Sequence, residues 1–154
     1  MKDENNEEIR SLTSDEVPLL RPCLEGLAAY HNRVAASFSG VYPTMPIATH
    51  LEHMKEHIRN DTALIIGLFL ADGTLGGFGM ASYEDAYGEI DYLFVHKSLR
   101  GEGRGGQILD LLLAYLREKK VEFVDLKVVL GNPAKRFYQK YGFAVRSETM
   151  SLQI

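Results

Sequence analysis

The chain has a single cysteine, Cys23, and no tryptophan. A lone thiol excludes an internal disulfide and any cysteine-rich metal scaffold, and it fits a reducing compartment. Positive charge is also short: 17 Lys and Arg stand against 21 Asp and Glu, a net charge of −4. That balance argues against nucleic acid as the main partner, because phosphate backbones demand a basic face. The first residues, Met1-Lys2-Asp3-Glu4-Asn5-Asn6-Glu7-Glu8, are acidic where a signal or transit peptide would be basic. Long apolar runs are missing as well. The longest weakly charged stretch, Thr62 to Tyr83, is broken by Asp72-Gly73 and by Gly76, Gly77 and Gly79. It reads as a hairpin and not as a membrane span. The expectation is a cytoplasmic protein with neither a membrane nor a nucleic acid as partner. There is no internal repeat, low-complexity tract or Pro/Ser-rich linker.

What is present suits one globular domain. The chain has 154 residues, 45% hydrophobic and 25% charged, enough to bury roughly 70% of its unfolded surface. Residues 1–8 read as a flexible tail and 9–154 as one domain. Ile9 to Leu12 suit a first strand. Thr13 and Glu16 form a capping-box pattern before an amphipathic helix over 15–31, which contains Cys23 as a small packing residue. A loop with Phe38, Tyr42 and two prolines leads to a second helix over 46–59. Strands follow at 62–70 and 75–83, joined by the Asp72-Gly73 turn, and then at 89–95. A long helix over 104–120 carries Ile108, Leu111, Leu112 and Tyr115 on one face. Val124, Leu126, Val128 and Leu130 alternate as a strand. Asn132-Pro133 opens a short helix that Gly142 ends, and Phe143 to Leu152 suit a last strand. The order β-α-α-β-β-β-α-β-α-β implies an α+β fold with one parallel crossover around the helix at 104–120.

Three motifs compete for the chemistry. Gly101-Glu102-Gly103-Arg104-Gly105-Gly106 satisfies G-x-G-x-x-G, yet five residues separate it from the strand ending at Val95. The only acidic residue at a suitable distance, Asp125, falls inside a strand. Both points disfavour a dinucleotide fold, and no Gly-Lys-Ser/Thr follows to make a P-loop. His53-Met54-Lys55-Glu56-His57 matches the inverted zinc pattern H-x-x-E-H, but no third ligand is evident, so no metal is expected. The third is a combination. The strand Glu89-Ile90-Asp91-Tyr92-Leu93-Phe94-Val95 leads to Arg100-Gly101-Glu102-Gly103-Arg104-Gly105, an R-x-x-G-x-G loop that opens a helix. Asn132-Pro133-Ala134, Phe137-Tyr138 and Tyr141-Gly142-Phe143 close the chain.

On these residues the sequence resembles the GNAT superfamily of acetyl-CoA-dependent N-acetyltransferases, well over 62–147 and only in element order before that. The resemblance implies a mixed, mostly antiparallel central sheet with helices on both faces. It implies that Arg100, Gly101, Gly103, Arg104, Gly105 and Gly106 hold the CoA diphosphate. Physics supports this role independently, since glycines let successive N–H groups converge at a helix N-terminus. Leu93, Phe94 and Val95 would pair with the pantetheine arm like an added strand, one N–H polarising the thioester carbonyl. Tyr138 would protonate the departing thiolate, and Asn132, first of all a cap, would also contact the cofactor. Glu89 matches the position of a general base in some members. Asp91 shares its face if no bulge intervenes, and two close carboxylates raise one pKa. Base duty stays open between Glu89, Asp91 and a water relay. Tyr30, Tyr42, Tyr83, Asp85, Glu89 and Asp91 are candidates for binding a cationic amine. A non-catalytic acyl-CoA-binding module on the same fold is the alternative, and a homodimer would cover the edge of the last strand.

Overall fold

The computed structural model describes residues 6–154. Five strands form one sheet in the order β1-β2-β3-β4-β5: β1 is Glu8–Ser11, β2 Ala63–Phe69, β3 Leu75–Glu84, β4 Tyr87–Val95 and β5 Phe123–Leu126. The first four pair antiparallel, and β5 runs parallel to β4. The helices are α1 Arg21–Val34, α2 Ile47–Arg59, α3 Arg104–Glu118 and α4 Ala134–Lys140.

Period-two alternation sends each strand's side chains to two cores. Ala63, Ile65, Phe69, Phe78, Met80 and Phe94 pack with Leu20, Leu24 and Met54 on the α1/α2 face. Ile66, Leu68, Ala81 and Ile90 pack with Ile108, Leu109, Leu112 and Leu116 of α3 on the other. The four α3 residues are almost completely buried, each worth about 1.5–3 kcal/mol. Gly79 permits this approach: a Cβ there would stand 2.6 Å from Ile108.

Four expectations change. The helix expected over 15–31 is divided into a 3-10 helix, Ser14–Leu20, and α1. Pro18 and Pro22 lack N–H donors, so helical bonding restarts near Leu20. The tail expected over 1–8 does not extend through Glu7 and Glu8: Glu7 is buried and Glu8 begins β1, while residues 1–5 lie outside the described residues. The strand expected over 124–130 ends at Leu126. Beyond it Leu130 accepts a hydrogen bond from the Ala36 N–H (2.8 Å), and Gly131 lies tight against the end of α1. The chain is thus drawn from β4 toward α1. The last strand is absent: residues 143–154 are irregular, with Met150 95% and Leu152 81% exposed. Strand propensity needs a partner ladder, and a β5 of four residues offers little. Arg146 still reaches Asp125 (2.6 Å).

Candidate active site

The site lies where β4 and β5 part. Their pairing runs only from Tyr87↔Phe123 to Ile90↔Leu126. On the other side of β4 the register slips, with Met80 opposite Tyr92 but Ala81 opposite Ile90. Asp91 is therefore the extra residue of a β-bulge, which bends the strand and re-aims side chains. Past the bulge β4 keeps β3 and loses β5. The His96 N–H bonds Gly76 O (2.8 Å), so alternation turns Phe94's backbone toward β3 and that of Leu93 and Val95 toward the opened edge. Of the three residues expected to meet a pantetheine arm, two have backbone groups facing it.

The glycine loop stands at the end of that edge. Gly101 and Gly103 have φ of +89° and +83°, with nothing within 4 Å of where a Cβ would be. Only glycine adopts this backbone cheaply. The first helical bond of α3 is Gln107 N–H to Gly103 O, which leaves the N–H groups of Arg104, Gly105 and Gly106 without partners inside the helix. Gly105 faces Val95. Arg100 is exposed, donates from Nε to Val95 O (2.8 Å) and lies 4.5 Å from the centre of the Tyr30 ring. Arg104 differs from the expectation. It is turned inward and only 8% exposed, with its fork on Glu7.

The helix α4 closes the loop's other side. Tyr141 Oη donates to Gly106 O (3.3 Å). Asn132 Oδ1 accepts from the Ala134 N–H (2.9 Å) and from Tyr30 Oη (3.3 Å), so its capping role is present. Tyr138 packs edge-on against Phe137 and Phe143. Burial pushes its phenol up to about 12, so it stays a proton donor at neutral pH.

Ile90 belongs to the α3 core, so Glu89 faces the α1/α2 side, as Tyr92 does. Asp91 interacts with both Glu89 and Ser82. Its Oδ2 is buried without a hydrogen-bond partner. Burial first, and the Glu89 charge as a lesser cause, raise its carboxyl from 3.8 to about 7, against a hydrogen bond from Ser82 that lowers it. Next to it Tyr92 Oη meets His50 Nδ1 at 2.5 Å. Burial, then the neighbouring His53, lower the His50 pKa, so the imidazole is neutral at pH 7.

The amine-binding candidates are dispersed. Tyr30 touches Arg100 and Asn132, on the cofactor loop's side. Tyr42 is in the loop that Asn32 organises, its carbonyl accepting from Asn32 Nδ2 (2.8 Å). Tyr83 packs on Tyr115 of α3, on the opposite face of the sheet from Tyr92. Asp85 sits in the exposed β3–β4 turn. Glu89 and Asp91 alone stay together. Sequence reasoning missed His50, Tyr92, Asn32 and Glu7. For Tyr92 the bulge was the missing signal. The other three act through contacts distant in sequence or through loop backbone, which no local pattern announces. The zinc-like pattern does not converge: His57 Nδ1 is engaged by Thr62 Oγ1 (2.8 Å), and no cluster of three metal-ligating side chains exists among the described residues. No described helix is long and apolar enough to cross a membrane.

A bulged, splayed strand beside a glycine-rich helix start defines a class, and comparison with known proteins gives the same one. Residues 27–143 match the model of the acetyltransferase (GNAT) family. The chain belongs to that family and is an acetyltransferase. Its fold is shared with solved structures of low identity. A predicted acetyltransferase from Clostridium acetobutylicum, solved with acetyl-CoA, has a TM-score of 0.75 and 18% identity over 96% of each chain. Glucosamine-6-phosphate N-acetyltransferase from Arabidopsis thaliana has a TM-score of 0.67 and 20% identity, over 96% of this chain and 97% of that one. Ribosomal-protein-alanine N-acetyltransferase from Brucella melitensis has a TM-score of 0.67 and 19% identity, over 96% and 99%. Among curated proteins none matches the sequence.

Proposed function

We propose that this protein transfers the acetyl group of acetyl-CoA to a primary amine, by direct attack in a ternary complex, and that the acceptor is a cationic small molecule or peptide. One observation carries the reading. The β4–β5 pairing ends at the Asp91 bulge, so the opened β4 edge, the glycine loop and an unpartnered carboxylate oxygen follow one another along the same strand.

The residues present fit acetyl-CoA. Gly101 and Gly103 leave room for phosphate oxygens, the N-terminus of α3 offers N–H groups and a favourable dipole, and Arg100 adds charge. The edge groups of Leu93 and Val95 suit an extended amide-bearing arm. Acetyl-CoA supplies an acetyl group activated as a thioester. The chain's residues do the rest. An amine with a solution pKa near 10 must lose a proton before it attacks. Asp91, ionised above pH 7 and unpartnered at Oδ2, is the best-placed acceptor of that proton. Glu89 beside it holds the cationic substrate. In this reading the base is Asp91 and not Glu89, because the bulge buries Asp91. Tyr138 donates a proton to the leaving sulfur, and an N–H of the β4 edge polarises the carbonyl. No activated nucleophile appears among the side chains of this site, which favours direct attack over an acyl-enzyme.

Thiol release from acetyl-CoA, measured against a panel of polyamines, aminoglycosides, amino acids and peptides with free N-termini, tests the reading. Amine-dependent release with at least one class supports it. Tight acetyl-CoA binding with no release for any class would favour an acyl-CoA-binding module instead.

A further inference from the structure

Arg104 begins α3, inside the loop assigned to the diphosphate, yet it is withdrawn from solvent. Its partner Glu7 is 97 residues away in sequence, and the two side chains are each 9% exposed. Nε donates to Glu7 Oε2 (2.8 Å) and Nη2 to Glu7 Oε1 (2.7 Å), a two-pronged match of fork and carboxylate. Nη1 donates to Leu99 O (2.9 Å) and to Glu102 Oε2 (3.0 Å). Leu99 and Arg104 bracket residues 100–103, so one guanidinium ties the two ends of the glycine loop from behind.

This arrangement fixes what Arg104 can do. The fork that would grip a phosphate is already filled by a carboxylate, and the Glu7 charge offsets the Arg104 charge at close range. The loop itself has little else to hold it: its glycines are conformationally free, and Gly101 and Gly103 touch nothing through a side chain. An anion cradle of backbone N–H groups works only when those groups are held in convergence before the anion arrives.

We propose that Glu7 is a positioning residue for the diphosphate of acetyl-CoA. It holds the Arg104 guanidinium inward, where that group clamps Leu99 to the start of α3 and keeps the loop N–H groups converged. The segment leading into β1 is thereby part of the cofactor site, although it lies outside the stretch that matches the family. This inference rests on the acetyl-CoA reading above.

Calorimetric titration with two donors separates this role from general stabilisation. Acetyl-CoA carries the diphosphate; S-acetylpantetheine has the same thioester arm and no diphosphate. Glu7→Gln leaves the cation with only the exposed Glu102 as counter-charge. It should weaken acetyl-CoA binding by about tenfold or more, while S-acetylpantetheine affinity stays within about twofold of the unaltered protein. Where Glu7→Gln does not fold, Arg104→Lys keeps a charge pair with Glu7 but loses the branch to Leu99, and the same split between donors is expected. Unchanged acetyl-CoA affinity, or equal loss for both donors in folded variants, would overturn the proposal. An unaltered protein that binds no acetyl-CoA would instead remove the functional reading on which it rests.

Discussion

Replacing Asp91 with Asn should stabilise the protein at alkaline pH and disable it at the same time. The carboxyl rises from 3.8 to about 7 on folding, chiefly through burial. A group raised in this way opposes folding when ionised: its cost is absent below about pH 4 and grows until the pH passes 7. The full shift corresponds to about 4 kcal/mol. Partial exposure of Asp91 cuts this to about 2 kcal/mol. Asn mimics the neutral acid and escapes the cost. Thermal unfolding at pH 8 should therefore show Asp91→Asn melting roughly 4–8 °C above the unaltered protein, and the gain should shrink to about two-fifths of that at pH 5 and vanish below about pH 4. In the proposed mechanism the same substitution removes the proton acceptor. Turnover should fall by roughly 10²–10⁴, and the rise of kcat/KM with pH, centred near 7, should disappear. A variant that is destabilised at pH 8, or that keeps activity with an unchanged pH profile, would refute the reasoning.

Other consequences follow from the same geometry. Tyr138→Phe should lower turnover by roughly 10²-fold with acetyl-CoA affinity little changed; calorimetry alongside steady-state rates checks both. Gly103→Ala meets no steric obstacle but must adopt a φ of +83°; the strain, about 1–2 kcal/mol, should raise the KM for acetyl-CoA roughly 5–30-fold and leave the far-UV spectrum intact. Leu112→Ala, at a fully buried site, should cost about 2–5 kcal/mol, read by denaturant titration. Burial pushes the Cys23 thiol up to about 11, so iodoacetamide at pH 8 should label it only after unfolding.

The parts of the molecule that announce themselves in sequence are those governed by local chemistry. Asp72-Gly73 made its hairpin turn because glycine takes the φ of +84° found there. Gly103 and the residues after it opened α3 where the apolar spacing of Ile108, Leu111, Leu112 and Tyr115 called for a helix, although Leu111 is 44% exposed and Leu109 and Leu116 complete the buried face instead. Asn132 was legible as a cap because a short side chain before a proline has few other uses. The buried carboxylate was harder. Alternation alone places Asp91 beside Glu89, but a one-residue slip opposite Met80 and Ala81 decides which carboxylate is buried, and the slip leaves no residue signature. Glu7 looked like one acid in an acidic tail; its value depends on a guanidinium 97 positions away. Residues 143–154 alternate well enough for a strand, yet the partner ladder diverges after Leu126. Tyr30, a candidate for the amine, lies under Arg100, because α1 packs so close to β4 that Gly26 meets the Phe94 ring.

The central claim is that the glycine loop and the opened β4 edge hold acetyl-CoA. Thermal unfolding with acetyl-CoA, and with NADH as control, tests it most directly. Ligand at about 100 times its dissociation constant adds ~2.7 kcal/mol, which for this chain should raise the midpoint by roughly 5–10 °C. A rise with acetyl-CoA and none with NADH is the predicted result. No rise, or a rise with NADH alone, would contradict the account.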